Sequence, residues 1–326
     1  VAGAGSVRAV RIDSSINPVV ADFISQEITA ANNAGSVAFL LEIDTPGGLD
    51  TAMRDIIKDI LGSQVPVIVY VYPAGARAAS AGALITLAAD FAAMAPGTNL
   101  GAATPVAIGG GGQGEMDETM KAKVVNDAVA YAKSIARQKG RNEEWAEKII
   151  RDSISTPAAE ALELKVIDLV AENEQELLAE LDGRKYIRNG SAMVLESRGA
   201  TITFGEMNSR QKILNTISNP NVAYMLLMLG ILGIFFEISQ PGVILPGAVG
   251  ALALLLAFIG LQTLPVNYVG VLLIVLAVVL FVLEVKVVSY GMLTIGGIIA
   301  LTMGSLVLIE GSEPYQQISL AVIAAS

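Results

Sequence analysis

The sequence predicts an α/β soluble domain followed by an all-α, multi-span transmembrane domain. Charge is distributed unevenly along the chain. The formal net charge is −10, yet from residue 221 onward the charged residues are only Glu237, Glu284, Lys286, Glu310 and Glu313. Short apolar runs alternate with amphipathic segments in the first part, which is typical of a parallel sheet with crossover helices. Apolar runs close to the ~20 residues that cross a bilayer fill the second part.

Strands and helices alternate in the predicted soluble domain, over residues 7–12, 17–35, 36–44, 49–63 and 66–72. The helical segments show apolar spacings of three and four residues, and the second and third strands are continuous apolar runs typical of buried strands. Ligands of such sheets bind at the carboxyl ends of the strands. The loops "DTPGGLD" and "PAGARAAS" follow these two strands, so we expect the functional site there.

The chain contains no cysteine and no histidine. This composition excludes disulfides, thiolate zinc sites, His-ligated metals, cysteine nucleophiles and Ser-His-Asp triads formed within the chain. A nucleophile must therefore be serine or threonine, and its base must be lysine, an acidic residue, tyrosine or a terminal amine. We expect no metal and no cofactor. The acidic balance, without clustered Lys and Arg, argues against nucleic-acid binding.

Ser80 stands where the second of these loops turns into the predicted helix "SAGALITLAAD". Free backbone N–H groups and the positive end of the helix dipole at such a position favour a developing oxyanion. Gly47 and Gly48 can bring the backbone of the other loop close, because glycine lacks the side chain that would block the approach. Serine is also a common N-cap, so the residues alone leave a purely structural role open.

A base for Ser80 is expected on the long amphipathic helix that begins near Asp117, after the glycine-rich segment 109–114. Lys121 and Lys123 are the candidates at the start of that helix, and helix geometry does not choose between them. A lysine has a reference pKa near ~10.4, so it must be largely desolvated to accept a serine proton at neutral pH. Either lysine could instead lie on a solvated face.

Four spans are predicted at residues 222–238, 243–261, 268–285 and 290–309, with a truncated fifth from Ile318. The connectors hold Pro, Gly and polar residues, which is typical of tight turns between helices. A buried soluble bundle is the alternative, but so few charges would leave it without a hydrated face. We expect the natural chain to continue past the fifth span, and the first residue, Val1, indicates that an initiator Met and any signal peptide are missing.

Four motifs of the sequence carry a family resemblance, namely "LLEIDTPGGLDTAMRDII", "ARAASAGALITLAAD", "KVVNDAVAYAKSIARQKGRN" and "IFFEISQPGVILPGAVGALALLLAF". They resemble motifs of the NfeD family of membrane-bound serine proteases. Motifs of this kind cover most of residues 7–309. The protease domain of that family has a ClpP-like, crotonase-related fold, so the resemblance implies a ClpP-like soluble domain here.

The resemblance also implies a Ser-Lys dyad. The family serine lies in the segment that matches "AASAG", which is Ser80, and the family lysine matches the first residue of "KVVNDAVAY", which selects Lys123 over Lys121. By similarity to Clp-type proteases, the oxyanion hole is formed by Gly47, Gly48 and the backbone N–H of Ala81. The uncharged residues around this site imply an apolar substrate-binding surface that contains Leu49, Val106 and Ile108.

Members of the family are associated with stomatin-like, SPFH-domain membrane proteins, and their activity has been linked to a hydrophobic segment of such a partner. The resemblance therefore implies an SPFH partner, a hydrophobic peptide substrate, the lipid bilayer as surroundings and a homo-oligomer. It also implies a multi-pass cell-membrane protein whose protease domain is extracytoplasmic. Lys and Arg are too rare in the connectors to orient the spans by charge.

The predicted domains are a protease domain over 1–185, a linker over 186–221 and a transmembrane domain over 222–326. The linker is expected to hold a small strand pair and an amphipathic juxtamembrane helix. Long family members carry an OB-like domain after the membrane bundle, and the sequence ends at Ser326, within the predicted bundle. Lys165 stands where related sequences commonly have glycine at a helix end, and the insertion "GGGGQG" is expected to hold Lys123 away from Ser80 until substrate binds.

Two other functions are compatible with the sequence. The first is a non-enzymatic membrane scaffold for SPFH assemblies, in which the dyad is idle. The second is a crotonase-type acyl-CoA enzyme, which would need basic residues near the sheet edge to bind phosphate. Only Arg54 and Arg77 are available for that role, so this alternative is weakly supported.

Overall fold

The computed structural model describes residues 5–105, 118–188, 190–240, 244–264, 266–287, 289–309 and 317–325. The chain divides into two compact units. The first contains residues 5–105 and 118–208, and the second contains the described residues from 209 onward.

The first unit alternates strands and helices. In chain order its strands are β1 (Ser6–Ile12), β2 (Ala38–Ile43), β3 (Val67–Val71), β4 (Arg77–Ala79), β5 (Phe91–Met94), β6 (Asn99–Gly101), β7 (Ser155–Pro157), β8 (Leu169–Val170), β9 (Lys185–Arg188), β10 (Ser191–Val194) and β11 (Thr201–Phe204). Its helices are α1 (Pro18–Ala34), α2 (Asp50–Gly62), α3 (Ala81–Ala88), α4 (Glu118–Gln138), α5 (Glu143–Arg151), α6 (Ala158–Glu163) and α7 (Glu174–Leu181).

A six-stranded sheet in the order β11-β1-β2-β3-β5-β8 forms the centre of this unit, and every pair of adjacent strands in it is parallel. Leu41 and Val69 pack with α1, α2 and α3 on one face, and Leu40 and Ile68 pack with Leu177 of α7 on the other. All six residues of β2 are buried. The central strands are therefore covered on both faces, as their continuous apolar runs predict.

Strand β11 lies at the edge of this sheet, where Thr201 pairs with Ser6 and Phe204 pairs with Ala9. The sequence pattern predicts a linker here, so the compact unit extends beyond the predicted boundary at residue 185. The strand has four residues that are mostly exposed. A short edge strand of this kind carries little hydrophobic pattern, which is why its place in the sheet cannot be read from the sequence.

Lys165 follows α6 with a φ of 59°, in the left-handed region that favours glycine. Replacement of Lys165 by glycine is expected to raise the free energy of unfolding by roughly 0.5–1 kcal/mol, because the backbone strain disappears and the side chain is exposed. Denaturant unfolding measures this change. Lys165→Ala is the control, since alanine keeps the strain; an equal gain in both variants would assign the effect to the lost charge.

Glu42 is a fully buried carboxyl group on β2. Its Oε2 accepts a hydrogen bond of 2.6 Å from Arg11 Nε, and its Oε1 has no partner among the described residues. Burial raises the pKa of Glu42 to about 7, against the opposing effect of Arg11 and with a further contribution from Glu174. The carboxyl group thus ionises in the folded protein near neutral pH.

Glu42→Gln is expected to flatten the pH dependence of stability between pH 4.5 and 7. Because the folded-state pKa lies above the unfolded value of 4.5, the contribution of Glu42 is complete below pH 4.5 and is lost as the pH rises through about 7. The slope is at most ~1.4 kcal/mol per pH unit. Urea unfolding of both proteins across this range measures it. A slope that survives the substitution would show that other groups cause it.

The second unit is helical. Its helices are α8 (Ser209–Ile217), α9 (Pro220–Ser239), α10 (Ile244–Leu261), α11 (Tyr268–Lys286), α12 (Met292–Val307) and α13 (Leu320–Ala325). Within the described ranges, α9, α10 and α11 are long and apolar enough to cross a membrane, and α12 is apolar but has 16 residues. The arrangement of four spans and a truncated fifth stays a prediction.

Glycines allow the apolar helices to approach one another closely. A Cβ atom on Gly233 would lie 2.7 Å from the Cα atom of Gly250, so α9 and α10 pack backbone against backbone. A Cβ atom on Gly304 would likewise lie 3.0 Å from the carbonyl oxygen of Gly270, between α12 and α11. Small residues at helix contacts are typical of membrane bundles.

Candidate active site

Ser80 lies between β4 and the first residue of α3, at the position where the sequence predicts it. Its φ and ψ are 51° and −115°, and its side chain makes no capping hydrogen bond to the helix. Ser80 therefore does not play the side-chain capping role that the sequence leaves open, because a capping serine normally has extended backbone angles and accepts a bond from the helix. The backbone N–H of Ser80 donates to the Gly101 carbonyl at 2.9 Å.

The backbone of Ser80 is strained, since a positive φ is uncommon for a residue with a Cβ atom. Strain of this kind costs of order 1–3 kcal/mol and persists where the surrounding structure enforces it, which happens most often at functional sites. The side chain is partly exposed. The serine hydroxyl is thus held at the surface at the start of a buried helix, and it does not cap that helix.

The loop after β2 contacts the start of α3, as the sequence predicts. Thr45 N–H donates to the Arg77 carbonyl at 2.7 Å, and Ala79 N–H donates to the Thr45 carbonyl at 3.1 Å. A Cβ atom on Gly82 would lie 2.6 Å from Thr45 Cγ2, so only glycine allows α3 to pack this closely. These contacts fix the "TPGG" segment beside the Ser80 turn.

Gly48 is held against Ile16, because a Cβ atom on Gly48 would lie 2.0 Å from the Ile16 carbonyl oxygen. The bridge between them uses the Gly47 carbonyl, at 2.8 Å from Ile16 N, and the Leu49 N–H, at 2.9 Å from the Ile16 carbonyl. The N–H of Gly48 takes no part in this bridge. The N–H of Gly47, by contrast, donates to Thr45 Oγ1 at 3.2 Å.

The three predicted oxyanion donors differ in whether their N–H groups already have an acceptor. Ala81 is the first residue of α3, and an N–H group in the first turn of a helix has no acceptor within that helix. The Ala81 N–H, which follows Ser80 directly in the chain, therefore has no partner within α3, whereas the Gly47 N–H already donates to Thr45 Oγ1.

Lys121 and Lys123 both lie in the exposed first turns of α4. The structure shows no hydrogen bond between Ser80 and Lys123 among the residues it describes. Val125, one turn after Lys121, packs partly buried against the core. Asp127, one turn after Lys123, instead forms an ion pair of 2.9 Å with Arg54.

Arg54 joins α4 to the first turn of α2. Its guanidinium contacts Asp50 at 2.8 Å, Asp127 at 2.9 Å and the ring of Tyr131 at 4.3 Å. Burial alone would lower the pKa of Arg54, but the two carboxylates outweigh it and raise the pKa. Helix α2 begins directly after Leu49, so the α4 face that carries Lys123, Asp127 and Tyr131 is tied to the Gly47–Leu49 loop.

This Arg54 link was not foreseen from the sequence, where Arg54 serves only as a weak candidate for phosphate binding. The i, i+4 spacing of Asp50 and Arg54 is visible, but the contact to α4 is tertiary and has no local signal. Leu49 is partly buried and packs against the core. The other two predicted substrate contacts, Val106 and Ile108, and the segment 109–114 lie outside the described residues.

Two domain families match the chain. The integral membrane domain of NfeD covers residues 221–326, and the N-terminal domain of NfeD1b covers residues 6–182. The chain belongs to the NfeD family. Membrane-bound protease PH1510 of Pyrococcus horikoshii is 37% identical over 311 residues, which are 95% of this chain and 70% of that protein. Membrane protein NfeD1b of Bacillus subtilis is 31% identical over 331 residues, which are 98% of this chain and 70% of that protein.

Solved structures similar to this NfeD chain contain the soluble domain. The 1510-N membrane-bound stomatin-specific protease, a serine-to-alanine mutant, aligns with a TM-score of 0.58 at 36% identity over 63% of this chain and 100% of its own. A lysine-to-alanine mutant of the same 1510-N protease, in complex with a substrate peptide, aligns with a TM-score of 0.60 at 34% identity. The alignment covers 66% of this chain and 98% of that chain. The predicted protease fold is confirmed, and the chain is a membrane protein and a serine protease.

Proposed function

We propose that this NfeD chain is a membrane-anchored endopeptidase in which Ser80 is the nucleophile and Lys123 is the general base. The observation that supports the proposal is the strained turn at Ser80, directly before the first N–H group of α3 at Ala81. We propose that the N–H groups of Gly48 and Ala81 both face the hydroxyl. A nucleophile at the start of a helix, next to preorganised N–H groups, is the arrangement that acyl transfer requires.

The reaction proceeds in two steps. Lys123 Nζ takes the proton of Ser80 Oγ, and Oγ attacks the carbonyl carbon of the scissile peptide while N–H groups of Gly48 and Ala81, with Gly47, hold the oxyanion. The lysine ammonium then gives its proton to the leaving amine, and the acyl-enzyme remains. The same lysine then deprotonates a water molecule, which attacks the ester carbonyl. The ester C–O bond breaks, the lysine ammonium returns the proton to Ser80 Oγ, and the acyl group leaves as a carboxylic acid.

Lys123 must approach Ser80 for this chemistry, and we propose that substrate binding brings it there. A lysine acts as a base only where water is excluded, and Lys123 is exposed. An apolar peptide laid against Leu49, Val106 and Ile108 would remove water from both groups. Dyads in proteins without substrate are often more open than those in the Michaelis complex, so an open arrangement is compatible with activity.

The proposed substrate is an apolar segment of a stomatin-like SPFH protein, since the 1510-N relative is a protease specific for a stomatin homologue. The protease domain is proposed to be extracytoplasmic and to assemble as a homo-oligomer. The spans that follow the linker are proposed to hold the chain in the bilayer.

Cleavage of a synthetic peptide tests this proposal. The peptide copies the apolar C-terminal segment of a stomatin-like protein and is incubated with the full chain in detergent, beside a matched peptide in which alternate apolar residues are lysine. We expect the chain to cleave the apolar peptide and to leave the lysine-containing peptide intact. Failure to cleave either, with binding of the SPFH protein retained, would favour the scaffold function.

A further inference from the structure

A basic cleft opens at the edge of the main sheet opposite to Ser80. It lies at the amino ends of β3 and β5, between the end of α4 and the β9–β10 pair, and has a volume of about 940 Å³. Five cationic side chains line it, namely Arg137, Lys139, Arg184, Lys185 and Arg188. Two carboxylates, Asp90 and Asp168, line it as well. A chain with a net charge of −10 thus concentrates positive charge in one cavity.

The ion pairs around the cleft leave positive charge without compensation. Asp90 is shared by two cations, because its side chain bonds Lys139 Nζ at 2.7 Å and also pairs with Arg188. Asp168 is neutralised by Arg141, at 2.9 Å. The side chains of Asp90, Lys139 and Arg188 are only 3%, 12% and 7% exposed. Buried charge without a counter-charge is unfavourable, so this group of residues favours an added anion.

Arg184 and Lys185 add to this excess. Arg184 donates to two carbonyl oxygens, those of Glu180 at 2.9 Å and Asp168 at 3.1 Å, and so engages no carboxylate through these bonds. Lys185 is exposed at the start of β9. Arg137 is different, since Glu143 binds it at 2.7 Å. Among the described residues, six cations, namely the five that line the cleft and Arg141, face three carboxylates, namely Asp90, Asp168 and Glu143, which leaves roughly three positive charges.

Arg188 supplies an independent indication of a ligand. Its guanidinium Nη2 donates to the Val65 carbonyl at 3.1 Å and pairs with Asp90, but its Nε has no hydrogen-bond partner within the described part of the chain. A buried donor of a charged group rarely stays unsatisfied. A buried guanidinium with an unpaired Nε–H, beside a cavity with excess positive charge, favours an added phosphate or carboxylate oxygen.

We propose that this cleft is a binding site for an organic phosphate, held by Arg188, Lys139, Arg184 and Lys185. Leu61, Phe91 and Ile187 also line the cleft, and Ile187 is 75% exposed. A phosphate ester suits this lining, because its oxygens meet the cations while its carbon skeleton contacts the apolar residues. Glycerol phosphate and the phosphoglycerol headgroup of an anionic lipid share this chemistry.

Two arms of one experiment distinguish these sources. In the first, the full chain in neutral detergent is titrated calorimetrically with glycerol 3-phosphate. In the second, the chain is placed in nanodiscs of phosphatidylcholine with or without phosphatidylglycerol, and thermal unfolding of the soluble unit is followed, because a ligand that binds the folded state raises the Tm. The variants are Lys185→Gln, Arg188→Met and, as a matched control outside the cleft, Lys58→Gln, whose side chain is 73% exposed on α2.

Lys185→Gln is expected to weaken binding roughly tenfold, or to abolish the shift in Tm, while Lys58→Gln behaves as wild type. Saturable binding in the first arm identifies a soluble organic phosphate, and an effect confined to phosphatidylglycerol identifies the lipid headgroup. Arg188→Met tests the unpaired Nε, and if it does not fold, Lys185→Gln decides the outcome. No response in either arm, or equal responses in Lys185→Gln and Lys58→Gln, would overturn the proposal.

Discussion

Replacement of Ser80 by alanine is expected to reduce peptide hydrolysis by about 10⁴-fold or more, because the proposed nucleophile is lost and only binding and the oxyanion donors remain. The fold should persist, since the Ser80 side chain caps no helix and alanine keeps the same backbone strain. Steady-state cleavage of the apolar peptide measures the first effect, and thermal unfolding measures the second.

Ser80→Gly separates the catalytic role of the residue from its backbone conformation. Glycine adopts positive φ without steric cost, so this variant should be as inactive as Ser80→Ala but more stable by roughly 1 kcal/mol. Such a gain would mean that the chain retains serine at a strained position at the expense of stability. This trade-off is common at active sites.

Ser153→Ala is a matched control for these two variants. Ser153 also has a positive φ, of 52°, but it is exposed and precedes no helix. Its replacement should leave kcat/KM within a factor of about two. Full hydrolysis by Ser80→Ala, or an equal loss in Ser153→Ala, would remove Ser80 from the mechanism and leave the scaffold function in its place.

The parallel sheet and the meeting of its two functional loops could be predicted from the sequence, because both follow from chain-local patterns. Continuous apolar runs indicate strands buried on both faces, and the loops after β2 and β3 must then share one edge of the sheet. The strain at Ser80 could not be predicted. Serine at the start of a helix is normally an N-cap, and only the contacts of Thr45, Gly82 and Gly101 enforce a different backbone.

Long-range charge contacts could not be predicted from the sequence either. Arg54 and Asp127, which join α2 to α4, lie 73 positions apart in the sequence. Asp90 lies 49 positions from Lys139 and 98 positions from Arg188, the two cations that share it. No local periodicity encodes such pairs. The choice between Lys121 and Lys123 is similar, since both are exposed on α4 and only the motif "KVVNDAVAY" separates them.

Lys123 variants test that choice directly. Lys123→Ala is expected to reduce kcat/KM by about 10²–10⁴-fold, which is the usual contribution of a general base, whereas Lys121→Ala should retain most activity. The Asp127 contact to Arg54 supports this order, because it ties the Lys123 face of α4 to the loop that ends at Leu49. Single-turnover cleavage in detergent compares the two variants under identical conditions.

Lys123→Arg distinguishes a base from a mere positive charge. Arginine keeps the charge and nearly the reach of lysine, but its guanidinium is not deprotonated in proteins, so it cannot accept the serine proton. The variant should therefore be as inactive as Lys123→Ala, and added primary amines should restore part of the activity of Lys123→Ala but not that of Lys123→Arg. Activity retained by Lys123→Arg would instead assign this side chain to electrostatic binding of substrate, because proton transfer from Ser80 would then need another base.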